Sequence, residues 1–327
     1  MKTDSLIKFT SKGFYCPAGG FYIDPKNVVD KALITHGHSD HAIKGHTEYL
    51  SHYRNIPILK TRLGLKTNVM GVEYGQVLNI NGVKVTFFPS GHVIGSAQIK
   101  IENKYESWVI TGDYKIENDN ISQSFAPIKC DNFVTETTFA QPIYRWESQD
   151  TIFNEINDWV KENKEKGLFS VIMCYSLGKA QRVLKNVNIE DNIFTYHSVF
   201  DMNKAIESSG VKLPSYLLFE PSLIKPGDLL LAPHTFVKSG VVDRNRYALA
   251  EASGWMKLFN PKSIDKKFIL SDHADWNGLN YAVKESGAQR IFTTHGFTKT
   301  YTSWLRKKGY DAYQVDDETE SNNEFDI

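Results

Sequence analysis

Short apolar runs punctuate the chain. FYI at 21–23, ALIT at 32–35, VKVTFF at 83–88, SWVIT at 107–111, FVT at 133–135, SVIMC at 170–174, IFTY at 193–196, LLLA at 229–232, FIL at 268–270 and IFTT at 291–294, all but LLLA carrying β-branched or aromatic residues, read as strands. Helical spacing lies between some of them. Over 151–163, Ile152, Ile156, Trp159 and Val160 share one face, and further helical patterns follow Ser176 and cover about 276–287 and 299–308. Strands interleaved with helices predict an α/β layered architecture.

Several runs end in an ionisable residue. Asp24 follows FYI, His36 follows ALIT, Asp113 follows SWVITG, Glu136 follows FVT, His273 follows FILSD and His295 follows IFTT. Functional groups of layered α/β proteins gather at one end of their strands. A single strand-end Asp reads as a capped turn, but this series needs a common cause. LITHGHSDHA at 33–42 is the densest case, with His36, His38, Asp40 and His41 close together. A strand ending near Thr35 would turn His36 and His38 the same way, with Asp40 and His41 at the start of a helix. Such side chains buried without partners would cost several kcal/mol, so they imply a metal site. Imidazole and carboxylate donors without Cys suit zinc first, then manganese or iron. His92 in PSGHVIGSAQ, Asp113 in TGD and His295 in TTHG are further ligand candidates. His46, His52, His197 and His234 lack partner signals and read as surface or satisfied structural residues.

Composition narrows the function. At about 150 residues per domain, 327 residues predict two domains. A hydrophobic fraction of 41% rules out wholesale disorder. With 38 basic and 38 acidic residues the net charge is zero, which excludes a histone-like polyanion binder. It leaves a nucleic-acid enzyme whose positive charge is local or carried by metal ions. Cys16, Cys130 and Cys174 are scattered, which fits a reducing cytosol. No run is long and apolar enough for a membrane helix, and no secretory leader is expected. The acidic tail at 316–327 is expected to fray. Arg54, Lys60, Arg62 and Lys66, with Lys12 and Lys115 near the metal motifs, are candidates to line a nucleic-acid path or a solvated face. Tyr114, Tyr144, Trp146 and Trp255 are candidates for base stacking or for the core. The strand–loop–helix segment SVIMCYSLGKAQRV makes Ser176, Gly178 and Lys179 candidates for holding phosphate, or an ordinary helix start.

HGHSDH, followed by GHVIGSAQ, TGD and a late THG, resembles the metallo-β-lactamase fold. Glu136 in TETTF, the segment YSLGKAQ and the segment LSDHAD resemble its β-CASP nuclease branch, and within it the bacterial ligase-associated, Artemis-like DNA exonucleases. The likeness runs from about Gly13 to about Gly309. It implies an αββα sandwich with an inserted α/β β-CASP domain, divided as 1–147, 148–264 and 265–327. It implies two divalent ions, zinc first and manganese or magnesium otherwise. His36, His38 and His92 would hold one ion, and Asp40, His41 and His295 the other. Asp113 would bridge them and Asp24 would orient a ligand. Asp40, Glu136 and His273 would be catalytic, with His273 protonating the leaving oxygen. Ser271 resembles a position that holds a terminal 5′-phosphate. The function implied is a cytoplasmic 5′-to-3′ DNA exonuclease of bacterial DNA repair, working beside a DNA ligase or helicase. His295 and Glu136 follow the pattern of RNA-cutting members, so a ribonuclease is the alternative.

Overall fold

The computed structural model describes residues 5–315. The acidic tail lies outside the described residues. The chain forms two compact units: residues 5–118, 122–145 and 273–315 in the first, residues 119–121 and 146–272 in the second. The first begins with β1 (Lys8–Thr10), β2 (Gly13–Cys16), β3 (Phe21–Ile23), β4 (Lys31–Leu33), β5 (Glu48–His52), α1 (Ile56–Leu63) and β6 (Val69–Val72). It continues with β7 (Val77–Ile80), β8 (Val83–Pro89), β9 (Ala97–Glu102), β10 (Ser107–Ile110) and β11 (Asn132–Thr137). The second unit comprises α2 (Gln149–Glu165), β12 (Phe169–Met173), α3 (Lys179–Asn186), β13 (Ile193–Thr195), α4 (His197–Ser208), β14 (Leu217–Leu218), β15 (Leu229–Ala232), α5 (Thr235–Ser239), β16 (Tyr247–Ala252) and β17 (Lys266–Phe268). The first unit closes with α6 (Trp276–Ser286), β18 (Arg290–Gly296), α7 (Thr298–Lys307) and β19 (Asp311–Gln314).

In the first unit one sheet runs β1-β2-β3-β4-β5-β6 and another β19-β18-β11-β10-β9-β8-β7. Each is antiparallel toward one edge and parallel toward the other. The two sheets share one core. Phe21, Ile23, Leu33 and Leu50 from the first meet Phe87, Ile99, Trp108 and Val134 from the second. Burying each such side chain contributes about 1.5–3 kcal/mol. Helices α6 and α7 cover the other side of the second sheet through Trp276, Leu279, Tyr301 and Leu305. Helix α1 packs Leu59 and Leu63 against Ala32, Ile34 and Tyr49. The rigid sheets fix where their connecting loops leave, and those loops carry the candidate site.

The second unit is an all-parallel sheet ordered β14-β13-β15-β12-β16-β17. Its central strands are buried on both faces, as continuous apolar runs such as FSVIM and LLLA require. The expected return to the first unit at 264/265 falls instead after Asp272. The reason is β17, which pairs parallel with β16, Ala250 opposite Lys266 and Ala252 opposite Phe268. Residues 119–121 join this unit through Asp119, whose carboxylate lies 3.2 Å from the fully buried Arg182 guanidinium.

No helix follows the HGHSDH motif. Residues 39–41 form a single turn, closed by the Ala42 N–H on the His38 carbonyl at 2.9 Å. The Tyr49 hydroxyl replaces a helical ladder. It accepts from the Gly45 and His46 N–H groups and donates to the Ile43 carbonyl. The chain must re-enter the sheet at β5, which pairs parallel with β4, and this leaves no length for a helix. His46 and His52 are therefore buried structural residues rather than positions on a helix. His46 accepts from the Val29 N–H, and the His52 ring stacks on Tyr74 at 3.7 Å.

Burial, with the Arg54 cation nearby, pushes the His52 imidazole down to about 4. The unfolded chain protonates this ring near pH 6.5, while the folded chain resists until about pH 4. The associated stability is full above pH 6.5 and is lost as the pH falls toward 4. His52→Phe is expected to lose less stability than the parent between pH 7.5 and 4.5, measured as urea midpoints. Identical pH dependence in both proteins would contradict this.

Candidate metal centre and acid–base pair

The HGH motif begins three residues beyond β4, so strand alternation does not set its geometry. Hydrogen bonds to neighbouring segments do. The Thr35 N–H donates to Asp24 Oδ1 at 2.8 Å, and the Thr35 carbonyl accepts from the Ala97 N–H at 2.8 Å. His36 and His38 converge all the same, with Nε2 and Nδ1 3.1 Å apart. His92 sits in the loop between β8 and β9, closed by the Ser90 and Ser96 hydroxyls at 2.8 Å. Gly91 beside it has φ +75°, and a Cβ there would lie 2.1 Å from the Lys115 carbonyl. Asp113 leaves the end of β10. The Thr111 N–H bonds the Val134 carbonyl and the Tyr114 N–H bonds Glu136 Oε1, so β11 holds Asp113 from both sides.

Three groups of donors lie wholly within the first unit. Ligating atoms of His36, His38, His92 and Asp113 lie within 4.8 Å of one another, as do those of Asp40, His41 and His295, and those of Asp113, Glu136 and His273. Asp113 joins them. Its Oδ2 is 3.3 Å from His36 Nε2 and 3.6 Å from His92 Nε2, and its Oδ1 is 3.3 Å from His41 Nε2. His92 Nε2 is 3.1 Å from His38 Nδ1, and His295 Nε2 is 3.4 Å from Asp40 Oδ2. His295 reaches this position from a bulge. Glu136 pairs Thr294 and Thr137 pairs Gly296, leaving His295 unopposed at φ +61°.

The residues fit a cation. The buried His41 Nε2 and Asp113 Oδ1 have no hydrogen-bond partner although they face each other. Tetrahedral zinc with bonds of about 2.0–2.1 Å places its donors roughly 3.3–3.4 Å apart. The first group shows 3.1, 3.1, 3.3 and 3.6 Å. Without an ion, protons do part of this work. Burial works against charge on His41, yet the Asp113, Asp40 and Asp24 carboxylates raise it well above its ordinary value. Burial also opposes charge on Asp40 and Asp113, yet the His41 cation leads in holding both carboxyls below the usual range. His295 is raised against burial by its bond to Asp40.

Beside the donors lies a second arrangement. His273 Nδ1 is 2.9 Å from Glu136 Oε2, and its Nε2 is 4.0 Å from Asp113 Oδ2. The Glu136 carboxylate also accepts from the Thr138 hydroxyl at 2.5 Å. Two residues downstream of His273, Asp275 caps α6 by accepting from the Gly278 N–H, while the Ala274 N–H binds the Tyr114 carbonyl. These bonds fix the backbone of His273.

The phosphate candidates lie in the other unit. Lys179 is buried, 3.1 Å from Asp272 and over the Tyr175 ring, so it is not a solvated lysine. The Gly178 N–H donates to Gln181 Oε1, Ser176 Oγ lies 2.9 Å from Ser198 Oγ, and Ser271 is buried. Among the basic candidates, Lys115 is buried against Glu117 and is not part of a solvated face, while the half-buried Arg62 donates to the Gly37 carbonyl. Tyr114 and Tyr144 are core residues and offer no stacking surface. Sequence reasoning missed Thr35 and Thr138, hydroxyls next to or near a marked residue with no spacing signal of their own. It also missed Gly112, whose Cβ would lie 2.5 Å from Thr35 Oγ1.

The first unit's two mixed sheets and its donor groups define an α/β protein with the residues to hold metal. No protein-family model matches the chain. A probable DNA ligase of Opitutus terrae is 28% identical over 325 residues, covering 96% of this chain and 31% of that protein. Cleavage and polyadenylation specificity factor subunit 3 of Dictyostelium discoideum is 30% identical over 117 residues, 35% of this chain and 15% of that one. RNase aCSPSF2 of Saccharolobus solfataricus is 27% identical over 165 residues, 48% and 32% respectively. The chain thus spans about a third or less of the length of these curated relatives. A crystal structure of a protein of unknown function from Enterococcus faecalis shares the fold, with TM-score 0.59 and 12% identity over 83% of this chain and 76% of that one. By these likenesses the chain resembles the β-CASP branch of the metallo-β-lactamase nucleases and, within it, ligase-associated proteins.

Gly112 takes φ +54° directly against Thr35. Gly112→Ala is expected to lower stability by about 1–3 kcal/mol through backbone strain and the displaced hydroxyl. It is also expected to weaken zinc binding at least tenfold in a competition titration. Unchanged zinc affinity would contradict the tight fit described.

Proposed function

We propose that this chain is a two-metal nuclease that hydrolyses DNA phosphodiesters from the 5′ end. The observation that carries the reading is the Asp113 carboxylate, with one oxygen toward His36 and His92 and the other toward His41. His36, His38 and His92 are the proposed holders of one ion and Asp40, His41 and His295 of the second, with Asp113 common to both. Zinc suits the nitrogen-rich donors best, with manganese or magnesium as alternatives. The unit that carries them is proposed as an αββα sandwich and the parallel-sheet unit as the β-CASP insertion.

When bound, the two ions would supply Lewis acidity and offset charge on the phosphate. The chain's own residues account for the proton. Glu136 accepts the His273 Nδ1–H and favours the charged ring, whose Nε2–H is then the donor to the leaving sugar oxygen. Thr138 and the Tyr114 N–H keep the Glu136 carboxylate in place. Ser176 and Ser271 are the proposed contacts of a terminal 5′-phosphate, joined by Gly178 and Lys179 if phosphate displaces Gln181 and Asp272 from them.

DNA is favoured by the match of 96% of this chain to 31% of a protein named for DNA ligation. RNA is the second reading, favoured by relatives named as RNases and by His295. The same reading places the protein in the cytoplasm, in DNA repair beside a ligase or helicase. The test uses 3′-labelled DNA with a 5′-phosphate or 5′-hydroxyl, and matched RNA. Stepwise shortening from the 5′ end is expected, faster with phosphate, and reduced about 10²–10⁴-fold in His273→Ala. A more than tenfold preference for RNA would reverse the order of the two readings.

A further inference from the structure

Asp24 has φ +41°, an uncommon conformation for a residue other than glycine, and it follows β3 directly. Its Oδ1 accepts the Thr35 N–H at 2.8 Å. Its Oδ2 lies 2.5 Å from Thr35 Oγ1 and 2.7 Å from His41 Nδ1. Thr35 Oγ1 in turn lies 3.1 Å from His36 Nδ1. A carboxylate only accepts, so the single Thr35 hydroxyl proton is given to Asp24. The Thr35 oxygen then has only lone pairs left for His36, and His36 must carry its proton on Nδ1. The same reasoning puts a proton on His41 Nδ1. Both rings are left with Nε2 facing Asp113, at 3.3 Å in each case.

We propose that Thr35 is a positioning residue that, with Asp24, sets the tautomer of a ligand in each of the two donor groups, so that one carboxylate couples them. His41 is held directly and His36 through the Thr35 hydroxyl. The hydroxyl is confined to this role by its surroundings. Thr35 is buried, its own N–H and carbonyl are committed to Asp24 and Ala97, and Gly112 leaves room for the side chain only by lacking a Cβ. Removing the hydroxyl should let the His36 proton move to Nε2, where it blocks the donor lone pair. It should also leave Asp24 bonded to His41 alone. The first donor group is then weakened, and filling one group no longer prepares the other. The inference rests on the two-metal reading above, so the test separates the two.

Thr35→Val keeps the shape without the hydroxyl, and Thr35→Ser keeps the hydroxyl. Histidine ring-nitrogen NMR of the metal-free protein reads the tautomer without any ion. The parent and Thr35→Ser should show a proton held on His36 Nδ1, in the neutral and the charged ring alike, and Thr35→Val should show that Nδ1 proton lost. Cobalt titration of the same proteins, followed by visible absorption and equilibrium dialysis, reads the coupling. The parent should bind two ions, Thr35→Ser should match it within about threefold, and Thr35→Val should bind one of the two 10–100-fold more weakly. A parent that binds no cobalt refutes the two-metal reading, while the tautomer measurement still decides on Thr35. A parent that binds two ions together with a Thr35→Val protein of equal affinity and unchanged tautomer overturns the proposal alone. If Thr35→Val fails to fold, a Thr35→Ser protein whose His36 proton lies on Nε2 overturns it as well.

Discussion

A buried carboxylate surrounded by imidazoles is the constraint on which this molecule is organised. Asp113 is almost fully withdrawn from water and faces His36, His92, His41 and His273 within 4.0 Å. An isolated charge of this kind would cost many kcal/mol to bury. It is tolerable only if positive charge is close, whether protons on His41 and its neighbours or ions between the donors. The upward shift of His41 and the downward shifts of Asp40 and Asp113 have that mutual attraction as their cause.

The fold meets that demand from widely separated parts of the chain. The HGH turn is held by Asp24 and Ala97, His92 by a closed loop between two strands, and Asp113 and Glu136 by β11. His273 is fixed ahead of a capped helix and His295 on a strand bulge. Asp24 and His295 are held at positive φ, as Asn81 and Asn120 are elsewhere in the chain. The shared core of two sheets supplies the rigidity that keeps these positions in register.

Much of the donor set was legible because its residues are unusual at strand ends. His36, His92, Asp113 and His295 stand beside apolar runs where bland residues would serve a merely structural turn. The strands were legible where β-branched residues cluster, as in VKVTFF, or where an apolar run is uninterrupted, as in LLLA, and were lost where they are short and mixed, as in β1, β2 and β6. The helix expected after HGHSDH failed because Tyr49, distant in local pattern, satisfies the backbone in its place. The end of the inserted unit was misplaced because pairing of Lys266–Phe268 with β16 is long-range and leaves no mark on local composition. Thr35 and Thr138 stayed hidden for a similar reason. A hydroxyl announces a role only through the proton it gives, and that depends on partners brought close by the fold.

The most direct measurement is anomalous X-ray diffraction from crystals of this chain soaked in zinc. The account predicts two peaks on either side of Asp113, one against His36, His38 and His92 and the other against Asp40, His41 and His295. No peak near Asp113 at saturating zinc, or ions held only by residues outside these groups, would contradict it.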